Sequence, residues 1–201
     1  MTVAQQVDRL AEVGIAELAG LSPDAFRRLA DGLQGDGIVC VHPTLVQPSL
    51  LAPLLRNDGK PGFVVEDMTD LDEFIPIDPV LVPDRPLYMA RGVDAGADLL
   101  DWTPKNALPE LLGRGRTPLT ISEGISWLLQ EPGRLQHNRC FMCVGSRKAT
   151  VGGFEPRTPA IWISRGTGRD GRTRRGAPKV GWCWFGNHHT WLGFASATER
   201  C

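Results

Sequence analysis

Three short apolar runs near the C-terminus, each carrying tryptophan, constrain this chain more than any other feature. The segment Pro159–Ala197 reads PAIWISRGTGRDGRTRRGAPKVGWCWFGNHHTWLGFASA. An arginine- and glycine-rich loop separates the first run from the second. Gly186-Asn187-His188-His189 separates the second from the third. Runs of this length, rich in aromatic residues and bounded by Gly and Pro, are too short for helices and read as strands. The spacing predicts strands at Ile161–Ser164, Lys179–Phe185 and Thr190–Ala197, with the last two joined as a hairpin.

The rest of the chain supplies helices and further strands. Its 201 residues suit one domain, and a globule of this size buries roughly 70% of its unfolded surface without needing disulfides or metal. Val3, Val7, Leu10, Val13, Ile15 and Leu18 fall near helical spacing, with Gly20 as the stop. Ser22-Pro23-Asp24 opens a second helix, with Ser22 as cap. Ile38–His42 reads as a strand. Ser49–Arg56 reads as a short helix broken at Pro53. Asn57–Gly62 is a turn, and Phe63–Val65 a buried strand. The prolines of 76–86 mark edge or extended pieces before a strand at Leu87–Ala90. Tyr88, the one tyrosine, reads as half-buried core. Lys105–Leu112 reads as a helix with Pro109 in its first turn. Thr120 and Glu123 fit a capping box for a helix running to about Gln130. The expected fold is α+β: an N-terminal helical segment over 1–34, then one domain over 35–201, whose antiparallel or mixed sheet ends in the tryptophan-rich strands.

Charge is unevenly spread. The net charge is −1, but residues 1–100 carry −9 and residues 101–201 carry +8. The two halves either attract each other or present an anion-binding surface. Glu66, Asp67, Asp70, Asp72 and Glu73 place five carboxylates in eight residues. No glycine interrupts them, which excludes an EF-hand and leaves a weaker Mg²⁺ or Ca²⁺ site, or an acidic loop facing the basic half. On the other side, Arg165, Arg169, Arg172, Arg174, Arg175 and Lys179 crowd one loop with a single acid, Asp170. Such a loop suits phosphate or carboxylate, with Trp184 as a platform; nucleic acid or a protein partner is the alternative. Gly166-Thr167-Gly168-Arg169-Asp170-Gly171 matches the dinucleotide pattern in letters. No helix-like run follows it, so the match carries no cofactor reading.

The five cysteines are irregularly spaced. The N-terminus lacks a basic stretch followed by an apolar core, so no secretory signal is expected. No run is long enough to span a bilayer. A cytoplasmic, reducing location with free thiols follows as an expectation. His137, Cys140 and Cys143 form H-x-x-C-x-x-C, a zinc-like spacing that Cys183, His188 or His189 would complete. Strand geometry over 140–145 points Cys140 and Cys143 to opposite faces, which disfavours zinc. Cys140 or Cys183, with His188 or His189 and Asn138 or Asn187, would instead give a Cys/His enzyme. In the simple hairpin topology the arginine loop and the His-His turn lie at opposite ends of strand 179–185. A single site must then recruit the acidic run or His137.

The blocks DGKPGFVVEDMTDLDEF, RGRTPLTISEGISWLLQEP, TPAIWISRGTGRDG and GAPKVGWCWFGNHHTWLGFASA resemble an uncharacterised bacterial family, a domain of unknown function common in actinobacteria. The resemblance spans about Leu50 to Ala197 and implies no established activity, cofactor or catalytic residue. The expected function is therefore read from the residues: an anionic small molecule held by the arginine loop.

Overall fold

The Thr2 and Gln5 side chains cap each other's backbone and start α1 (Val3–Glu12) in the computed structural model, which describes Met1–Cys201. The helix expected to run to Gly20 is broken earlier. Gly14 takes φ 101°, a left-handed conformation that costs glycine little, and α2 (Ile15–Leu18) restarts from it. Ser22 accepts from the Ala25 N–H at 3.2 Å and caps α3 (Pro23–Arg28) as its spacing predicts. Val7, Leu10, Ile15 and Phe26 are buried in the same core as the sheets.

β1 (Ile38–Val41) follows, and its outer edge is covered by side chains. The Val39 N–H donates to Gln6 Oε1 at 2.8 Å, Gln130 Nε2 donates to the Val39 carbonyl at 2.7 Å, and the Val41 N–H donates to Ser126 Oγ at 3.0 Å. Helical side chains thus satisfy backbone groups that an edge strand would otherwise leave open. α4 (Pro48–Leu51) gives way at Ala52 to a 3₁₀ turn containing Pro53. Asp58 and Gly59, both at positive φ (48° and 76°), close a tight hairpin between Arg56–Asn57 and Lys60–Pro61. β2 (Phe63–Val64) comes next and is half-buried rather than buried, because it forms one edge of the main sheet.

β3 (Leu87–Arg91) pairs antiparallel with β1, Val39 opposite Met89. Tyr88 is fully buried here, not half-buried. Thr103 caps α5 (Pro104–Gly113); Pro104 takes the first helical position, so Pro109 lies inside the helix rather than in its first turn. α6 (Ile121–Gln130) has the Thr120–Glu123 capping box, and all ten of its residues are buried. Gly124 lets it approach the main sheet: a Cβ there would lie 2.6 Å from Cys143 Sγ.

The main sheet adds β4 (Cys140–Met142), β5 (Arg157–Ile163), β6 (Pro178–Trp184) and β7 (Leu192–Phe194). Its order is β7-β4-β5-β6-β2. β5 runs antiparallel to β4 and β6, while β7 is parallel to β4 and β2 parallel to β6, so the sheet is mixed. The expected hairpin between the last two strands is not formed. β6 and β7 are separated by β4 and β5, and the segment carrying His188 and His189 crosses over the sheet. Main-chain bonds hold that crossover: the Lys105 N–H donates to the Phe185 carbonyl at 3.0 Å and the Asp101 N–H to the His189 carbonyl at 3.1 Å. Finally β8 (Glu199–Arg200) pairs with β3. No helix is long and apolar enough to cross a membrane.

Candidate functional site

The arginine loop leaves β5 and returns as β6. Its base closes through the Ser164 N–H to the Ala177 carbonyl at 2.9 Å and the Gly176 N–H to the Ser164 carbonyl at 2.8 Å. The hairpin at 56–61 props it, with Asn57 Nδ2 donating to the Gly176 carbonyl at 2.8 Å and the Lys60 ammonium donating to the Arg175 carbonyl. Two 3₁₀ turns fill the loop, and no helix follows the glycines.

Part of the loop's charge is compensated by the acidic run and by the loop's own Asp170. Arg169 pairs with Asp67 at 3.2 Å and Arg174 with Glu66 at 3.5 Å. Arg174 also lies over the Phe63 ring, 4.6 Å from its centroid. Lys179 Nζ donates to both Asp170 oxygens at 2.9 Å. Asp70 receives two bonds from Arg157, at 2.6 and 3.1 Å, and one from Lys148 at 2.7 Å. Arg157 first, then Lys148, hold the Asp70 carboxyl down at about 2. The two oppositely charged halves therefore meet along this seam. Arg165, Arg172 and Arg175 form no ion pair and are exposed.

Of the expected ligand-binding residues, Arg165 and Lys179 converge with His137, one of the two groups that a single site had to recruit. A cleft of about 190 Å³ opens between the end of β5 and the turn before β4, lined by His137, Asn138, Cys140, Trp162, Arg165, Lys179 and Trp191 among others. Lys179 sits opposite Trp162 in the ladder, its Nζ 4.9 Å from the indole. Trp162 and Trp191 meet edge to face at 6.0 Å. The turn is closed by the Gln136–Arg139 bridge, with Asn138 at φ 63°. Asn138 and Cys140 also line a neighbouring chamber of about 570 Å³ beside Trp127 and Leu100. Arg169 and Arg174 face a separate depression with Glu66 and Asp67. Trp184 lies at the far end of β6, opposite Arg157 and against Trp182. Neither His188 nor His189 lines the cleft. His188 Nδ1 donates to the Asp101 carbonyl at 2.7 Å, and His189 packs on Trp191 at 5.5 Å.

Burial disfavours the thiolate at the four buried cysteines. Burial pushes Cys140 up, and the backbone at Ile163 and Arg139, then the Arg165 charge, offset only part of that. Burial likewise raises Cys183, to about 12, and raises Cys40 and Cys143, with Glu123 adding to both of these. Burial, then the neighbouring His188, lowers His189. The residues of the zinc-like motif are not gathered: Cys140 Sγ contacts the Gln136 carbonyl at 3.4 Å, whereas Cys143 lies against α6. No group of three or more His, Cys, Asp or Glu side chains is arranged to hold a metal ion.

A family model matches residues 9–201. The chain belongs to DUF5701, a family of unknown function. The match takes in the last turn of α1 and everything after it, a wider span than the Leu50–Ala197 blocks. No match is found among curated proteins or among solved structures.

One polar cluster in this DUF5701 chain escapes the sequence reading because its members are distant in the chain. Glu123, at 0% exposure, accepts from Tyr88 Oη at 3.0 Å, the Thr120 N–H at 2.7 Å, and Arg200 Nε and Nη2 at 2.5 and 2.8 Å. Arg200 also donates to Thr117 Oγ1 at 2.5 Å and the Pro118 carbonyl at 2.9 Å. Its polar groups are paired, and the cavity beside Tyr88 and Thr120 is only about 30 Å³, so the cluster fastens β8 to α6 rather than offering a site. The capping-box pattern revealed one of Glu123's roles; nothing local revealed the other.

Proposed function

We propose that the protein binds an anionic small molecule in the cleft between β5 and the Gln136–Arg139 turn. Arg165 is the principal ligand in this reading, and Lys179 and His137 assist. The supporting observation is that Arg165 has no carboxylate partner and lines a concave site with two indoles. Asp170 already compensates Lys179, so Arg165 supplies the excess positive charge. A guanidinium offers a planar fork of donors that matches an oxyanion. Arg169 and Arg174 keep their carboxylates and shape the loop instead.

Calorimetric titration with inorganic phosphate at low ionic strength tests this. Arg165→Ala should weaken binding about tenfold, the scale of one charge-assisted hydrogen bond. Arg172→Ala and Arg175→Ala, on the outer loop, should leave affinity within about twofold. Equal affinity for wild type and Arg165→Ala would refute the proposal.

A further inference from the structure

The anion cleft is small. At about 190 Å³ it holds roughly six waters' worth of volume, enough for an oxyanion and its hydration but not for an organic molecule of ordinary size. The chamber beside it, about 570 Å³, falls within the roughly 300–1,000 Å³ typical of small-molecule sites. The two adjoin along Asn138 and Cys140, which line both.

We infer that the two chambers are halves of one site, and that its ligand is an amphipathic organic anion with an oxyanion head at Arg165 and an apolar body beside Trp127. This rests on the anion-binding reading above and adds the class of ligand.

The chemistry of the larger chamber supports an apolar body. Its wall has an apolar side, Val93, Ala97, Leu100 and Trp127, and a polar side at the junction with the cleft, Gln136, Asn138 and Arg139, the last without an ion pair. The cation nearest Trp127, Arg134, is held by Glu131 at 2.6 Å and lies over the indole, 5.9 Å from its centroid. Arg134 is therefore part of the wall rather than a free anion ligand. Asp94 is occupied by the Gly96 N–H at 2.7 Å. The junction suits the same ligand. Cys140 is nearly buried, and its thiol, kept protonated by burial, acts as a small apolar surface. Asn138 holds the tight turn at φ 63°. An inorganic anion would leave the apolar side of the larger chamber, around Leu100 and Trp127, against water. A neutral apolar molecule would leave Arg165 unpaired. A molecule with both parts satisfies both chambers.

Three probes separate the parts: inorganic phosphate (head only), 1-naphthol (body only) and 1-naphthyl phosphate (both), titrated calorimetrically into the full chain. 1-Naphthyl phosphate should bind at least about tenfold tighter than phosphate. Arg165→Ala should weaken both phosphates about tenfold and leave 1-naphthol unchanged. Ala97→Trp, at an exposed position on the chamber wall, should remove the naphthyl advantage while inorganic phosphate binds as before. Ala97→Leu provides a smaller filler should the tryptophan variant misfold by near-ultraviolet circular dichroism. Naphthyl phosphate binding no tighter than phosphate, or an advantage that survives both fillers, overturns the joined site. Phosphate affinity unaffected by Arg165→Ala overturns the anion reading beneath it.

Discussion

At the residue scale, the same side chain types have opposite fates according to what lies beside them. Arg169 and Arg165 are four positions apart in one loop, yet only Arg169 forms an ion pair, while the Asp170 carboxylate in Arg165's cleft is held by Lys179. Cys140 and Cys201 are both free thiols, but burial keeps Cys140 protonated while Cys201 is exposed. Reactivity follows the thiolate, which burial suppresses. Labelling the native protein with a thiol-specific disulfide near pH 7.5 should therefore show one fast site, Cys201, and four that react only on unfolding. A second fast thiol would restore a cysteine-based catalytic reading. The zinc-like motif and the buried Glu123 show the limits of local reading. The H-x-x-C-x-x-C letters suggested a shared ligand, but backbone direction divides Cys140 from Cys143. Glu123 was legible as a cap because Thr120 is three residues away. Its bond to Arg200 was not, because 77 residues separate them.

At the element scale, caps and tight turns were the most legible features. Ser22, Thr120 with Glu123, and Asp58-Gly59 each find their partners within a few residues, so composition and order specify them. Strand neighbours are different. Alternation along β6 and β7 is equally compatible with a hairpin and with a crossover, and only packing of the 185–191 segment against α5 and Asp101 selects the crossover. The covering of β1 is likewise invisible locally, since Gln6, Ser126 and Gln130 come from two helices. That covering matters for stability. Ser126→Ala removes the acceptor for the buried Val41 N–H, and an unsatisfied buried donor costs about 1–3 kcal/mol. Urea unfolding should show that loss, with faster hydrogen exchange at Val41. A variant within about 0.3 kcal/mol of wild type would mean the edge is satisfied by other means.

At the scale of the whole molecule, the seam between the acidic run and the basic half is what joins the two charge-biased parts. Asp70 lies at its centre, held by Arg157 and Lys148. Its carboxyl sits near 2 in the folded state against an ordinary 3.8. A depressed carboxylate stabilises the fold above its unfolded value and loses that contribution as pH falls through the folded one. About 2 kcal/mol should therefore vanish between roughly pH 4 and pH 2. Asp70→Asn should unfold more readily at pH 7 and show a shallower loss of stability through that window; an unchanged acid limb would remove Asp70 from the account. The sequence by itself determined the α+β class, the Ser22 and Thr120 caps, the tight turn at Asp58-Gly59, the two tryptophan-bearing strands β5 and β6 and the separation of charge, whereas the expected strand Thr190–Ala197 is split into Leu192–Phe194 and Ser196–Ala197. Those depend on dihedral preference, on periodicity and on counting. Tertiary structure alone decided which strands are neighbours, which arginines keep a free charge, and that His137 rather than the acidic run shares a cleft with Arg165. Those depend on contacts between residues far apart in the chain, and a free charge is defined only once every carboxylate has a place.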